Sequence, residues 1–449
     1  MRLDRLDTRT GVNPRISSPE EYTREETYRN TRAPVDFAVT LLPEAYSDPD
    51  FHSIERERVF AGSWIVAGCA SEVRDPGQVL VTEVAGRSVI VTRDREGELR
   101  AFHNVCRHRA AKLLDDDCRS VRNNRIRCPY HSWTYDLAGK CLGTPLFEGS
   151  DIPEDQQGVF DMGGVRGFDK ADYGLMPVSV DTWGFLVFVN LDPEAAPLTG
   201  QLGDLPERFS GYRLDEWEIL RERGYEPKAD YKLIGENFME YYHLPWVHPE
   251  LVKVSRIEDH YRSQGPGMYM GFRTTPILQN TGAGGFLGLP PLSTLSGEDA
   301  VSGRFVWLFP NVAINILPSH AFIIVANPEG PGRSAERTVL LAHPECMDHP
   351  DAEDEIEQLV TFWDLVNVQD IEIVERVQEG ISNPTYRGGR MCYRFEEPLH
   401  RFQNMIIDRM VGIDRVPPGD DEEGTQMFAR HSSGSTDSTG VQGGGRIGG

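Results

Sequence analysis

No stretch of the 449-residue chain approaches the roughly eighteen apolar residues that a membrane-spanning helix needs. The N-terminus, MRLDRLDTRTGVN, is charged from its second residue and lacks the apolar core of a secretory signal. Positive charge is also scarce: 46 Lys and Arg stand against 70 Asp and Glu, a formal net charge of −24. That balance argues against nucleic-acid backbones and anionic lipid as partners. Cysteine is sparse and odd in number, with seven in all. An odd set does not make a disulfide framework, so these read as reduced thiols in a cytoplasmic protein. Internal repeats are missing too. What is present is the composition of a soluble globular protein, 39% hydrophobic and 26% charged, long enough for one large core or two to three ordinary ones.

Four metal-ligand residues stand out against this background. Cys106-Arg-His108 and Cys128-Pro-Tyr-His131 form C-x-H and C-x-x-H, with nineteen residues between the halves. A zinc finger places its cysteines in one half and its histidines in the other. Here each half supplies one thiolate and one imidazole, which suits a two-iron cluster with Cys₂ on one iron and His₂ on the other, a Rieske [2Fe–2S] centre. The surrounding sequence is β-rich. Residues 78–84, 87–93 and 99–104 alternate in polarity and predict strands of a small sheet, with the ligand pairs on loops after such strands. Residues 178–191 predict one long strand that closes this domain. The polar, Pro-containing segment around 192–210 predicts a domain boundary.

A second constellation lies in Gly235-Glu-Asn-Phe-Met-Glu-Tyr-Tyr-His-Leu-Pro-Trp-Val-His248. On a helix ending near Leu244, Glu240 and His243 are i,i+3 neighbours on one face. Pro245 is expected to break that helix and let His248 swing toward His243. Two such imidazoles suit half of a 2-His-1-carboxylate site for Fe(II) with positions open for O₂. Taken alone, they read equally as core or surface histidines.

The third ligand must come from elsewhere. A long helix predicted over 351–380 offers Asp364, Asp370, Glu372 and Glu375. Its apolar stripe runs Trp363, Val366, Ile373, Val374, Val377, and Asp370 falls within it at helical spacing. A carboxylate on a buried face needs a cation or donors to offset desolvation. Asp370 is therefore the expected ligand, the bland alternative being a carboxylate satisfied by a buried Arg or backbone donors. Further strands are expected at 304–318, 321–328 and 338–343. From about Pro417 the chain turns acidic, then Gly- and Ser-rich, and 417–449 reads as a disordered tail.

Taken together, the cysteine–histidine pairs, the E-x-x-H-x-x-x-x-H segment of Glu240–His248 and the downstream Asp370 resemble the catalytic α subunits of Rieske non-haem iron oxygenases. The resemblance runs from about Phe51 to Arg415. It implies an α+β chain: an arm over 1–50, an all-β Rieske domain over 51–192 and a helix-grip catalytic domain over 205–416. It implies a [2Fe–2S] cluster on Cys106, His108, Cys128 and His131, and mononuclear Fe(II) on His243, His248 and Asp370. A separate NAD(P)H-dependent reductase would supply electrons and O₂ would be the oxidant. In this family subunits form a ring, usually a trimer, in which each cluster feeds its neighbour's iron through an acidic residue. Glu240 matches that residue, linking a cluster histidine such as His131 of one subunit to His243 of the next. Aromatic-ring dioxygenases usually carry Asp there; Glu looks more like the choline, glycine betaine and carnitine branch.

Two other classes compete. Respiratory Rieske electron carriers have extra cysteines in C-x-H-x-x-C and C-x-C-H, where this chain has Ala111 and Tyr130, so their typical disulfide cannot form. A zinc-binding module gives no reason for the second constellation. The expected function is hydroxylation or oxidative N-demethylation of a small quaternary ammonium compound, with hydroxylation of an aromatic ring or acid as the alternative. Tyr241, Tyr242, Trp246, Tyr269, Phe305, Trp307 and Phe309 could face either kind of substrate, or simply pack the core.

Overall fold

Apolar residues alternating along the first half of the chain pair into two antiparallel sheets. The computed structural model describes residues 12–149, 163–253, 255–275 and 289–420. Its first sheet has six strands in the order Ile65–Cys69, Leu186–Asn190, Pro177–Trp183, Leu99–His103, Arg87–Arg93, Val79–Val84. A three-stranded sheet of Arg125–Arg127, Thr134–Asp136 and Cys141–Gly143 shares a small core with it, built on Val79, Ile90, Phe102, Ile126 and Tyr135. The single strand expected over 178–191 is in fact a hairpin. Trp183 pairs with Leu186, and Gly184 turns the chain back at φ +56°. A Cβ on Gly184 would lie 2.5 Å from that of Leu214, so glycine serves both the turn and the close approach. Phe185 is buried and continues the apolar run through the turn, which hid the reversal from a pattern reading.

From Glu218 onward the chain builds a seven-stranded antiparallel sheet. Its order is Glu218–Tyr225, Arg333–Ala342, His320–Gly330, Val312–Ile316, Gly303–Leu308, Tyr269–Thr274, His260–Arg262. The expected strand region 304–318 is thus two strands, and those expected at 321–328 and 338–343 extend further. Three helices, Tyr231–Met239, Ala352–Ile381 and Glu397–Met410, contact one another or this sheet. Trp363 of the long helix stacks on Phe322 of the sheet, with centroids 4.7 Å apart and planes within 10°. The helix Tyr231–Met239 lies so close that a Cβ on Gly235 would sit 2.6 Å from the Trp307 ring. The chain is therefore an all-β domain followed by a domain in which one antiparallel sheet holds helices.

Several local expectations are corrected. The helix expected to end near Leu244 ends at Met239, and Glu240 is extended at φ −119°, ψ 160°. A second short helix, Leu244–Val247, follows, with Pro245 in its first turn. Proline lacks only a hydrogen bond that no first-turn residue makes, so Pro245 opens this turn rather than breaking the previous one. On the long helix Val377 is 45% exposed, and Asn367 and Gln378 occupy buried positions instead.

The N-terminal arm buries Tyr22, Tyr28, Leu41 and Leu42, donates from the Leu41 amide to Gln403 at 2.9 Å, and pairs Arg32 with Asp408 at 2.7 Å. Residues 49–60 pack on the helices Tyr231–Met239 and Glu397–Met410. There Glu55 meets Lys232 at 2.9 Å, and Lys232 meets Asp230 at 2.8 Å, all three buried. The polar segment around 192–210 is not loose. Its helices Leu198–Leu202 and Leu205–Arg208 bury three leucines, and Gln201 donates at 2.8 Å to the carbonyls of both Trp64 and Phe309. Residues 417–420, expected to begin the disordered tail, are placed against the body. Asp420 accepts from the buried Arg262 at 2.8 Å and Arg401 donates to the Pro417 carbonyl at 3.2 Å; residues 421–449 lie outside the described residues.

Candidate iron centres

The two ligand loops of the first domain are built alike. The Cys106 carbonyl accepts from Ala110 N–H at 3.1 Å, and Cys106 N–H donates to Ala111 O at 2.9 Å. Five residues behave the same way in the second loop: Ser132 N–H donates to Cys128 O at 3.1 Å, and Cys128 N–H to Trp133 O at 2.8 Å. Each turn is closed by a non-glycine residue at φ +58°, Ala110 and Ser132. Holding an L-residue there costs roughly 1–2 kcal/mol, strain that clusters at functional sites.

These turns bring the four residues together. Cys106 and Cys128 are buried in one small core, and the His108 and His131 rings are 4.7 Å apart. His108 stacks parallel to Trp133 at 5.0 Å, and its buried Nδ1 has no hydrogen-bond partner among the described residues. An orphaned imidazole nitrogen and two buried free thiols in one small core are a donor set that a two-iron cluster would satisfy. Burial pushes the Cys106 thiol up; hydrogen bonding from the Tyr135 hydroxyl, 3.4 Å from Sγ, works the other way and favours thiolate. Tyr135 is steered by Arg107 N–H, which donates to its oxygen at 3.1 Å. All seven cysteines are free thiols in the structure.

In the second domain, His243, His248 and Asp370 place their ligand atoms within 4.8 Å of one another. Both imidazoles turn Nε2 toward Asp370 Oδ1, at 3.5 Å from His243 and 2.8 Å from His248. Their other nitrogens are held from behind. His243 Nδ1 lies 2.6 Å from Glu240 Oε1, and His248 Nδ1 lies 2.8 Å from Gln369 Oε1. Asn237 donates to Asp370 Oδ1 at 2.6 Å. Outer partners of this kind fix the ring orientation and tautomer of a metal-binding histidine. Burial opposes charge on His248, but Asp370 and Gln369 outweigh it and raise its pKa above the ordinary value. The rejected carboxylates have other work: Asp364 pairs with Arg223 at 2.9 Å, and Glu375 accepts from Lys228 N–H at 2.9 Å.

Glu240 reaches His243 without sharing a helix with it. One carboxylate oxygen takes the ring nitrogen, and the other accepts the backbone N–H groups of Tyr242 and His243, closing the turn that precedes the short helix. Gln369 and Asn237 were missed in the sequence. The available signals were adjacency for Gln369, next to Asp370, and one-turn spacing for Asn237, three residues before Glu240. A cavity of about 640 Å³, counted out to its solvent mouth, opens onto the cluster, and Phe238, Phe272, Phe305, Phe322 and Trp363 line it.

Two family descriptions match this architecture. Residues 63–154 match the Rieske [2Fe-2S] domain, and residues 214–412 match the ring hydroxylating alpha subunit (catalytic domain). The chain joins a Rieske [2Fe–2S] domain to the catalytic domain of ring-hydroxylating alpha subunits. Its cofactors are accordingly a Rieske [2Fe–2S] cluster and a mononuclear non-haem iron. It is 28% identical to the glycine betaine monooxygenase oxygenase subunit of Chromohalobacter salexigens, over 84% of this chain and 87% of the relative. Against the chloroplastic choline monooxygenase of Spinacia oleracea the identity is 27%, over 82% and 78%. A solved quaternary ammonium Rieske monooxygenase, described for carnitine oxidation, shares the fold with a TM-score of 0.70 at 22% identity, over 84% of this chain and 97% of that one. No helix among the described residues is long and apolar enough to cross a membrane.

Proposed function

We propose that this protein is the terminal oxygenase of a two-component system that hydroxylates or oxidatively N-demethylates a small quaternary ammonium compound. One oxygen atom of O₂ enters a substrate C–H bond and the other leaves as water, using two protons and two electrons from NAD(P)H by way of a separate reductase. When bound, the [2Fe–2S] cluster on Cys106, His108, Cys128 and His131 supplies single electrons, and Fe(II) on His243, His248 and Asp370 supplies O₂ activation. The chain's own residues do the positioning. Glu240 and Gln369 orient the two imidazoles, Asn237 fixes the carboxylate, and the aromatic walls keep bulk water from the reacting C–H bond.

The observation that carries the substrate class is the aromatic cavity directly over the cluster. Ring faces attract a trimethylammonium group that has lost its water. Similarity to glycine betaine and choline monooxygenases supports the same class. A homotrimeric ring, with Glu240 linking His243 to His131 of the next subunit, completes the reading. It is supported by the exposure of Tyr130, next to His131, and of Trp246, three residues after His243. Purified protein with a surrogate reductase, assayed by mass spectrometry on quaternary ammonium compounds and on aromatic acids, tests it. Product only from the aromatic set would refute the substrate class, and a monomer under native mass spectrometry would refute the ring.

A further inference from the structure

A second cavity, of about 710 Å³ counted out to its mouth, adjoins the one over the histidine–carboxylate cluster. Asn237 and Glu240 line both, so the two spaces meet at those side chains. Val377 and Tyr386 on the wall of the second are 45% and 37% exposed, and this end opens to solvent. Three carboxylic side chains line the space between, those of Glu236, Glu240 and Glu396.

Glu236 is arranged to hold a proton and release it. Tyr46 Oη donates to its Oε1 at 2.6 Å, and Gln403 Nε2 donates to the same atom at 2.8 Å. No donor among the described residues reaches Oε2. With both donors on Oε1, a proton on this carboxyl sits on Oε2, the oxygen left to the cavity. Burial pushes Glu236 up to about 7, so that proton exchanges near neutrality. The titratable groups around it are spread over several elements. Lys232, one turn earlier on its own helix, is held by Glu55 and Asp230 in buried ion pairs, and Glu240 follows that helix. Tyr46 comes from the arm, Tyr386 from the loop after the long helix, and Glu396, which burial pushes up to about 6, from just before the last helix. The long helix adds Ile373, Val374, Val377 and Ile381 to this wall, all uncharged.

Oxygenation of a C–H bond takes two protons for the oxygen atom that leaves as water. A substrate in the aromatic cavity stands between that cavity's mouth and the cluster, so those protons need another way in. We propose that the second cavity is the proton route of the oxygenase and that Glu236 relays protons along it. The Oε2–H bond breaks as its proton passes to cavity water on the side of Asn237 and Glu240, and the carboxylate takes a proton back from solvent through the mouth. Resting on the oxygenase reading above, this gives Glu236 a role without contact to substrate or iron.

Glu236→Gln keeps the oxygen that Tyr46 and Gln403 bind and removes the proton. Holoenzyme with its cluster pre-reduced is mixed with O₂ and a compound that wild type turns over, and product is followed between pH 6 and pH 9. At pH 6 wild type should form product at least about tenfold faster than the variant. That ratio should fall toward one as pH rises through about 7, because only wild type has a Glu236 proton to lose. Groups common to both proteins cancel in it. Tyr46→Phe removes a donor that favours the carboxylate form, and should move the wild-type inflection to higher pH.

A ratio of one at pH 6, or a ratio that does not change with pH, overturns the relay. If Glu236→Gln does not fold, Tyr46→Phe decides alone, and an inflection that stays in place or moves down overturns it. Wild type that forms no product from quaternary ammonium compounds or aromatic acids ends the oxygenase reading and the relay with it. Wild type that turns over beside an unaffected variant ends the relay only.

Discussion

Replacing Glu240 by glutamine removes one charge from a side chain that does three things at once. Its carboxylate holds His243 Nδ1 at 2.6 Å and accepts the N–H groups of Tyr242 and His243. Glutamine offers one acceptor oxygen instead of two and no charge, so the ring and the backbone turn compete for it. A hydrogen bond to a charged group contributes about 1.5–3 kcal/mol, roughly a tenfold to hundredfold effect. The carboxylate is only 13% exposed, so solvent screens little of this. Iron affinity at His243, His248 and Asp370 should therefore fall tenfold to hundredfold, measured by titrating Fe(II) into metal-free protein. At saturating iron the cluster should still accept an electron from the reductase. Product per turnover should nonetheless drop by orders of magnitude if Glu240 also links the two centres. Single turnover of the pre-reduced, iron-saturated variant separates the two effects. Wild-type iron affinity together with wild-type turnover would refute the reasoning on both counts.

The other expected outcomes follow the same geometry. Asp370→Ala should abolish oxygenation and mononuclear iron while leaving the Rieske EPR signal intact, and retained iron with activity would point to another carboxylate. Cys106→Ala should yield nearly colourless protein, since no spare thiol or imidazole lies in register in its loop; a persisting Rieske signal would contradict the cluster assignment. Gly235→Ala forces a methyl to within 2.6 Å of Trp307 and should cost about 1–3 kcal/mol in chemical denaturation. Burial raises Glu236 from the ordinary 4.5 to about 7, so the folded state binds its proton more tightly than the unfolded chain. The stability this contributes is complete below pH 4.5 and is lost as pH rises through about 7. Urea unfolding at pH 5 and pH 8 should show that loss in wild type and a flatter dependence in Glu236→Gln.

The candidate ligand residues that the structure brings together were legible in the sequence because the chemistry expected of them depends on residue type and short spacing. Cys106, His108, Cys128 and His131 lie within two turns, and a turn of five residues is a local object. Asp370 was legible from helical periodicity, since a carboxylate within an apolar stripe needs a buried reason to be there. Expectations failed where a decision was tertiary. Phe185 continues an apolar run, so only the packing of Gly184 against Leu214 shows that the chain reverses. Glu240 and His243 were placed on one helix because i,i+3 spacing suits a helix. The chain instead leaves the helix at Met239 and reaches the same contact through an extended residue and a new first turn.

Residue type and motif spacing were enough by themselves to single out the two candidate ligand sets, and the resemblance those motifs carry implied the α+β order of the domains and the class of chemistry. Those properties follow from side-chain identity and from periodicities that a helix or strand imposes locally. Only the tertiary structure decided that Gln369 and Asn237 stand behind His248 and Asp370, and that Lys232 is buried against Glu55. Each is a contact between segments far apart in the chain, and which nitrogen of a ring carries its proton depends on the neighbour that folding brings to it.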